Sequence, residues 1–384
     1  MDYHKTQEEK ALKKQMKLTE NELEMFFDNN YLFDVYYQPK DTLNGDMIYS
    51  KRLTKNEYLC VIVDAMGKGL PAAMTAMNSV GFVRHSLKKA LEYNDFNFSK
   101  LLNDFVEYVK SILIDSEALC ANFIYIKDKK VNYANFSLPP IFTEKGKIKA
   151  NNLPIRQKTT SVNIDQFNLP EKMLLTSDGL IESPLKNNKG VFYKQFIKIF
   201  PNIVFLKDLV KNFKQKAIQS DDVSIFLFRK DNFKMKKIFE KEFIISKNNF
   251  NELLKTIENS NIPQKGKIIF IFHEIFMNIL EHSILKIDTK KDKEDKKLIQ
   301  FPKIKNSYNH KIKITILKNT FMLKLLYEDD TKGFNKHDIS NALHLKYHGK
   351  GYKIIKNLSD AVFINKTGNK IKIFIRNDNG SQST

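Results

Sequence analysis

The sequence predicts an α+β chain in which two domains follow a short linker helix. Its 384 residues exceed the roughly 100–200 residues of an ordinary single domain. An apolar content of 42 % is enough to build hydrophobic cores, which excludes a chain that is disordered throughout. Short β-like runs separated by long helical stretches are typical of helices packed on sheets.

Residues 1–29 are predicted to be a linker, with a helix over residues 5–27. The helix is rich in Glu, Lys and Leu and contains no Gly or Pro. Its apolar residues have loosely helical spacing. The segment could be a linker helix, a short coiled coil or an exposed helix packed on its own domain, and the sequence leaves these alternatives open.

Residues 30–230 are predicted to form the first domain. Its runs of β-like composition are 33–39, 46–53, 57–65, 121–127, 130–136, 172–178 and 223–228. The helical stretches between them are 70–92, 98–114 and 192–218. This order predicts sheets that are covered by helices.

Residues 231–384 are predicted to form the second domain. The sequence indicates helices over 249–259 and 267–284, then two strands, a glycine-bearing loop, a helix and a final strand. The run at 286–297 is too highly charged for a core, and it predicts a solvated loop. The boundary is placed near residue 230, where the excess of positive charge rises.

Composition excludes several classes of protein. The best candidate for a membrane span, Ile268–Leu280, is interrupted by polar residues, and no apolar run approaches the roughly 20 residues that a span requires. The charged N-terminus is unlike a secretory signal. Two cysteines, Cys60 and Cys120, are too few for a disulfide framework or a four-ligand zinc site. We therefore expect a cytoplasmic protein.

The net charge of +20 raises the hypothesis of a nucleic-acid partner. Such a protein would bind DNA with an affinity that falls linearly with salt on logarithmic axes. However, only five of the 64 basic residues are Arg, the side chain that favours bidentate contacts with phosphates and guanines. The sequence has no zinc-finger or helix-turn-helix signature, and we expect no nucleic-acid partner.

Four aspartates, Asp46, Asp64, Asp178 and Asp221, lie at the ends of β-like runs and close to glycines. Taken singly, each is typical of a turn or a cap. Together they supply the oxygen ligands that Mg²⁺ or Mn²⁺ requires. Two such ions about 4 Å apart can activate water for the displacement of a phosphoryl group. The pattern therefore predicts a hard-cation site with hydrolytic chemistry.

Four motifs around these aspartates resemble the metal-dependent protein phosphatases of the SpoIIE/RsbU type, a branch of the PPM or protein phosphatase 2C-like enzymes. In order and spacing, the motifs are NGD (44–46), VDAMGKGLPAAM (63–74), LLTSDGLIES (174–183) and SDDVSIFLF (220–228). The resemblance covers residues 30–230. It implies a two-sheet β-sandwich flanked by helices, with two Mn²⁺ or Mg²⁺ ions in a cleft between the sheets.

The resemblance also implies the roles of individual residues. Asp46 and Asp64 would hold or bridge the ions, and the carbonyl of Ala65 would add a ligand. Asp178 and Asp221 would complete the centre. Such enzymes hydrolyse phosphoserine or phosphothreonine with water as the nucleophile, and they need no catalytic cysteine.

In the second domain, Glu274 and Asn278 lie four residues apart and therefore on one face of the predicted helix. They could serve as a base and a Mg²⁺ ligand, or simply form a polar stripe on an amphipathic helix. Further on, YEDDTKGFN (327–335) and YHGKGYKIIKNL (347–358) combine acids at a strand end with glycines at a helix start. Glycine amides at a helix N-terminus favour phosphate groups.

Over residues 240–378, these motifs resemble the GHKL ATPase fold, an α/β sandwich of the histidine-kinase type. The branch is that of the anti-sigma-factor serine kinases, RsbW and SpoIIAB. The resemblance implies Glu274 as general base, Asn278 as ligand of the Mg²⁺ of ATP, and Asp329 as the adenine contact. The phosphate-loop glycines would be Gly333, Gly349 and Gly351.

Together the resemblances imply a phosphatase fused to a kinase-like domain in a bacterial partner-switching pathway. The substrate would be a phosphorylated anti-sigma-factor antagonist of the STAS type. A sigma factor or an upstream sensory domain would be further partners, and the chain could form a homodimer. The alternative is a second domain that binds a partner without catalysis. Thr331 favours it, because this residue replaces the first glycine of the box that begins at Asp329.

Overall fold

The computed structural model describes residues 10, 14–15, 24–26, 30–41, 43–187, 189–284, 309–333, 350–365 and 367–377. The chain divides into two compact units. One contains Phe26–Asp231, and the other contains Asn232–Thr384 together with Leu23–Met25. None of the helices in the described ranges has the length and apolar character that a membrane span requires.

Strands β2 to β11 of the N-terminal unit form two antiparallel sheets, whereas β1 pairs within the C-terminal unit. In chain order the first eleven strands are β1 (Glu24–Phe26), β2 (Tyr31–Gln38), β3 (Asp46–Thr54), β4 (Glu57–Ala65), β5 (Leu119–Lys127), β6 (Lys130–Phe136), β7 (Ile141–Thr143), β8 (Gly146–Ile148), β9 (Asp165–Asn168), β10 (Lys172–Thr176) and β11 (Val223–Lys230). The first sheet has the order β3-β4-β5-β6-β9, and the second contains the run β2-β11-β10-β7-β8.

The two sheets of this unit pack face to face around an apolar core. Successive side chains of a strand point to opposite faces, so a strand that is apolar throughout can contribute to two cores. On β4, Cys60 and Ile62 pack in the core between the sheets, together with Phe226 of β11. The alternate residues of β4, Leu59 and Val61, pack in a separate core against helices.

Helices cover the outer face of each sheet. They are α1 (Leu70–Glu92), α2 (Phe98–Ile112), α3 (Asp178–Ile181), α4 (Tyr193–Ile199) and α5 (Leu206–Lys216), with a 3₁₀ turn at Phe200–Asn202. Apolar clusters join α1 and α2 to the first sheet, and α3, α4 and α5 to the second. The unit therefore has four layers, which confirms the predicted β-sandwich flanked by helices.

Two of the predicted helices differ from the structure. The helix predicted over 192–218 is divided into α4 and α5, because Pro201 has no N–H with which to continue the helical bonds. The helix predicted over 5–27 does not reach its predicted end, because Glu24–Phe26 form β1 and Glu24 pairs in parallel with Ile364. Of the rest of that segment, the described residues 10, 14 and 15 are helical, and the others lie outside the described ranges.

The C-terminal unit is a sheet with helices on one face. Its elements are β12 (Lys236–Ile244), α6 (Lys247–Glu258), α7 (Lys265–Asn278) with a following π-helical turn (Ile279–Ile284), β13 (Lys311–Lys318), β14 (Met322–Asp329), α8 (Lys350–Leu358), β15 (Ala361–Ile364) and β16 (Lys370–Arg376). The strands run in the antiparallel order β12-β13-β14-β16-β15. One apolar core joins the sheet to the helices, so the unit is an α/β sandwich. Its assignment to the GHKL type stays a prediction, and the loop predicted at 286–297 lies outside the described residues.

Candidate metal centre and active site

The first two predicted ligands lie on neighbouring strands of the first sheet. Asp46 is the first residue of β3 and Asp64 the last but one of β4, and the two are directly opposite each other in the antiparallel register. Asp46 is buried, and its Oδ2 accepts a hydrogen bond of 2.7 Å from the hydroxyl of Ser224 on β11. The second sheet therefore helps to hold a carboxylate of the first.

The other two predicted ligands lie at one end of the second sheet. Asp178 is the first residue of α3, just after β10, and Asp221 lies two residues before β11. Because β10 and β11 are antiparallel neighbours, the end of one strand meets the start of the other. Gly179 permits a very close approach here, since a Cβ atom at this position would lie 1.9 Å from the carbonyl oxygen of Asp222.

The carboxylates are near enough to repel one another. Burial raises the pKa of Asp64 to about 7, with further contributions from the charges of Asp178 and Asp221. Burial and the charge of Glu182 raise the pKa of Asp178 to about 6. Burial, and then the charge of Asp64, raise the pKa of Asp46 well above its ordinary value. The structure thus brings the four predicted aspartates near enough for the charges of Asp178 and Asp221 to act on Asp64, and that of Asp64 to act on Asp46.

Ala65, the predicted carbonyl ligand, lies against the loop that precedes β3. Its N–H donates to the carbonyl oxygen of Gly45 at 3.1 Å. A Cβ atom at position 45 would lie 2.7 Å from the carbonyl oxygen of Ala65, so this approach requires glycine. The Ala65 carbonyl is therefore held next to the residue that precedes Asp46.

Asp222 is a positioning residue that the sequence reasoning missed. Its Oδ1 accepts from the N–H of Lys40 at 2.8 Å, and its Oδ2 accepts from the N–H of Gly45 at 3.1 Å. The residue is 6 % exposed, so these backbone groups depend on its carboxylate as their partner. It ties the loop that leads into Asp46 to the start of β11. The doublet of aspartates at 221–222 is the only signal of it in the sequence.

Glu182 is a second acidic residue that the sequence reasoning did not select. Its charge raises the pKa of both Asp64 and Asp178. It follows Asp178 by four residues and immediately follows the end of α3, a spacing that places two side chains on the same side of a helical turn. That spacing could have identified it. Glu182 itself is exposed and adds negative charge at the rim of the cluster.

The donor chemistry of this cluster fits hard divalent cations. Buried carboxylates that raise each other's pKa lack compensating charge, and a cation would supply it. Lys68 approaches Asp221 at 3.8 Å, but both side chains are about half exposed or more, and such pairs contribute little. Within the described residues, no three His, Cys, Asp or Glu side chains converge as ligands of one ion. Mg²⁺ commonly binds one or two carboxylates and keeps several waters, so it does not require three such side chains at one point.

In the C-terminal unit, the predicted site residues lie on three elements. Glu274 and Asn278 lie on α7, Asp329 ends β14, and Gly351 lies in α8. Gly333 has a φ angle of +71°, and a Cβ atom there would lie 1.8 Å from the carbonyl oxygen of Thr367, so this position requires glycine. Gly349 lies outside the described residues.

Asp329 carries a buried oxygen that has no well-aligned hydrogen-bond partner among the described residues. Its side chain is buried, and its Oδ1 accepts from both the N–H and the hydroxyl of Thr331. Its Oδ2 is buried beside the hydroxyl of Tyr327, and neither atom makes a hydrogen bond of good geometry among the described residues. Burial raises the pKa of Asp329, and the neighbouring hydroxyls of Thr331 and Tyr327 oppose that shift. A buried acceptor of this kind fits a ligand that donates a hydrogen bond.

The family model described as Stage II sporulation protein E (SpoIIE) matches residues 54–231. The match ends at Asp231, the last residue of the N-terminal unit, so the similarity to this family concerns the N-terminal unit and not the C-terminal unit. It supports the SpoIIE-type resemblance that the four aspartate motifs indicate. A comparison with curated proteins found no match.

Solved structures show weaker similarity. The SiaA-PP2C domain of Pseudomonas aeruginosa is 16 % identical, with 52 % of this chain and 86 % of that chain covered and a TM-score of 0.45. The RsbU and RsbW domains of a Mycobacterium tuberculosis protein are 13 % identical, with 90 % and 92 % covered and a TM-score of 0.45. The phosphatase domain and regulatory fragment of SpoIIE from Bacillus subtilis are 18 % identical, with 53 % and 64 % covered and a TM-score of 0.42. Similarities of this size assign no function to the chain.

Removing the charge of Asp64 should stabilise the metal-free protein. Because the folded-state pKa of Asp64 lies above its ordinary value, its ionisation costs stability as the pH rises from 3.8 to about 7, and the full cost is present at pH 8. We expect Asp64→Asn to raise the free energy of unfolding at pH 8 in EDTA by at most about 4 kcal/mol.

In MnCl₂, the wild type should gain stability and the Asp64→Asn variant should gain much less. Urea unfolding followed by circular dichroism measures both effects, and Asp115→Asn, at an exposed position, is the control. An equal response to MnCl₂ in Asp64→Asn would contradict this assignment.

A methyl group at position 179 should disrupt the cluster. Gly179→Ala places an atom at 1.9 Å from the Asp222 carbonyl oxygen, so α3 and the start of β11 must move apart. We expect a loss of about 2 kcal/mol or more of stability and a weaker stabilisation by MnCl₂. Gly266→Ala in α7 is the matched control, because a Cβ atom there meets nothing within 4 Å and alanine favours helix. Thermal unfolding with and without MnCl₂ checks the prediction, which fails if the two variants behave alike.

Proposed function

We propose that residues 30–230 are a metal-dependent phosphatase that hydrolyses phosphoserine or phosphothreonine in a regulatory protein. The observation that carries this proposal is the cluster of Asp46, Asp64, Asp178 and Asp221 at the ends of two packed sheets. The match of residues 54–231 to the SpoIIE family model supports it. By the motif resemblance, the substrate is a phosphorylated anti-sigma-factor antagonist of the STAS type in a partner-switching pathway.

Two Mn²⁺ or Mg²⁺ ions would be held by these four carboxylates and by the carbonyl of Ala65. When bound, such ions neutralise the charge of a phosphate group and make water a better nucleophile at neutral pH. The protein's own contribution is to keep the carboxylates in place against their mutual repulsion. Ser224 fixes Asp46, and Asp222 fixes the loop that leads into it. The exposed ammonium group of Lys68, beside Asp221, can attract the phosphate of a substrate.

The two cysteines are not suited to act as nucleophiles. Cys120 is opposite Asp64 on the neighbouring strand, and burial together with the charge of Asp64 raises the pKa of its thiol to about 12. Cys60 is fully buried between the sheets, and burial raises its pKa well above the ordinary value. Because the thiolate is the reactive form, both residues are inert at neutral pH. This favours direct attack of water on the phosphate.

A phosphatase assay tests the proposal. With MnCl₂, we expect the full chain to release phosphate from 4-nitrophenyl phosphate and from a phosphoserine peptide. Asp64→Ala should lower kcat by at least about 100-fold. Even substitutions of residues that only support the metal ligands lower the activity or metal affinity of metalloenzymes by about 10–100-fold. The exposed Asp115→Ala should retain the wild-type rate. Equal rates for Asp64→Ala and the wild type would refute the proposal.

A second candidate function concerns the C-terminal unit, for which we propose ATP binding of the GHKL type. The buried Oδ2 of Asp329 supports it, because this atom has no hydrogen bond of good geometry among the described residues and the amino group of adenine could donate to it. In this proposal Glu274 is the general base, Asn278 holds the Mg²⁺ of ATP, and the three glycines named above contact the phosphates. The unit would phosphorylate the same antagonist that the first domain dephosphorylates.

A non-catalytic partner-binding module is the alternative for this unit. Thr331 favours it, because its hydroxyl and N–H already satisfy one oxygen of Asp329 without a nucleotide. The two alternatives differ in whether nucleotide binds at all. Retained partner binding without any nucleotide binding would support the module.

Calorimetric titration of ATP in MgCl₂ separates the two alternatives. If Asp329 contacts adenine, Asp329→Asn should weaken binding by about 10-fold or more, because it replaces a charged acceptor by an amide. Asp330→Asn is the control, since this neighbouring carboxylate is about half exposed and bonds to His310 and Lys311 instead. Glu274→Gln should bind ATP but transfer no phosphate. No heat of binding with the wild type would exclude the ATPase assignment.

A further inference from the structure

A cavity of about 620 Å³ lies between α1 and β3 in the N-terminal unit, away from the carboxylate cluster. Its lining on α1 extends from Gly81 to Glu92, in the second half of that helix. At 1.5 Å per residue, Arg84 lies roughly 21 Å along the helix axis from Leu70, where α1 begins beside the cluster. β3 is the edge strand of its sheet, so the cavity is open along one side. It is therefore a different place from the candidate metal centre.

One wall of the cavity contains a lysine where the strand pattern requires an apolar residue. On β3, Met47, Tyr49 and Leu53 point into the core that α1 and α2 cover. Because side chains alternate with a period of two, Lys51 occupies the same face between Tyr49 and Leu53. Lys51 is partly buried and lines the cavity. A cation at a core-facing position is unfavourable unless a counter-charge reaches it.

The opposite wall contains a glycine that the protein's own packing does not require. Gly81 lies in the interior of α1, where glycine costs about 0.5–1 kcal/mol relative to alanine. A Cβ atom at this position would meet nothing within 4 Å, and its φ angle is not positive. No close approach or turn within the described part of the chain explains it. The missing side chain leaves open space in the wall of the cavity.

The charge of the cavity is positive and its floor is apolar. Lys51, Arg84 and Lys88 line it, and the exposed Glu92 lies 3.7 Å from Lys88. The guanidinium of Arg84 lies 5.9 Å from the centre of the Tyr49 ring, which helps to orient it. The buried Leu87 and the partly buried Leu91 complete the apolar lining.

We propose that this cavity binds a small organic anion. Its phosphate or carboxylate would lie among Lys51, Arg84 and Lys88. Its flat or apolar body would pack against Tyr49, Leu87 and Leu91, in the space that Gly81 leaves. The cavity has the size of typical small-molecule sites, which occupy about 300–1,000 Å³. Such a ligand would supply a counter-charge for Lys51. It would also explain why Lys51 and Gly81, neither of which suits its local pattern, line the same cavity.

Binding to the full chain tests this inference independently of any enzymatic activity. The probes are adenosine monophosphate, pyridoxal 5′-phosphate, phenyl phosphate and 4-hydroxybenzoate, with inorganic phosphate as a comparison, each followed by calorimetric titration. We expect saturable binding of at least one organic probe, and weaker binding of inorganic phosphate. Gly81→Leu fills the space without changing charge, and Arg84→Gln removes one cation. Each variant should weaken binding of the organic probe by at least about tenfold. Arg84→Gln loses a charged contact with the anion, and Gly81→Leu loses the space for the body of the ligand.

The controls locate the site. Lys89→Gln removes a cation of α1 that does not line the cavity, and it should change the affinity by less than about twofold, as expected for an exposed charge. Asp329→Asn should leave the affinity unchanged, which separates this cavity from the proposed nucleotide site. No binding of any organic probe would overturn the proposal. Binding that Gly81→Leu leaves unchanged would also overturn it, because the ligand would then lie elsewhere.

Discussion

Mutual repulsion among buried carboxylates is the constraint on which the N-terminal unit depends. Asp46, Asp64 and Asp178 all have raised pKa values, because burial and like charges disfavour their ionised forms. Backbone contacts that only glycine permits hold the chain segments together in spite of this repulsion. The contact of Gly45 with Ala65 and that of Gly179 with the Asp222 carbonyl are both too close for any side chain. The fold thus maintains a charge arrangement that the isolated groups would avoid.

The rigidity needed to hold these charges comes from the core between the sheets. Phe33 of β2 packs against Tyr58 and Phe228 with ring centres 4.8 and 4.5 Å apart, so rings from both sheets interlock. Such aromatic pairs contribute about 0.5–1.5 kcal/mol beyond the area they bury. The strands that form this core also place Asp46 and Asp64 at their ends. Packing and site geometry therefore depend on the same strands, and we expect substitutions in this core to displace the carboxylates as well.

The sequence predicts what depends on local pattern and misses what depends on contacts between distant segments. The run 57–65 is β4 because its apolar residues suit a strand buried on both faces. The four aspartates are recognisable because each lies in a motif of fixed spacing. Asp222 escapes such reasoning, since its role comes from hydrogen bonds to Lys40 and Gly45, far away in the sequence. Likewise, Glu24–Phe26 have helical composition, and pairing with β15 makes them a strand.

Three places where residues are poorly matched to their surroundings coincide with places where a ligand would be bound. Carboxylates are buried together at the sheet ends, and Asp329 buries an oxygen without a well-aligned partner in the described part of the chain. Lys51 lies on a core-facing position of β3, opposite Gly81. A cation would stabilise the first arrangement, a hydrogen-bond donor the second and an anion the third. At these three points, ligands of three different charges or polarities would reconcile each residue with its surroundings.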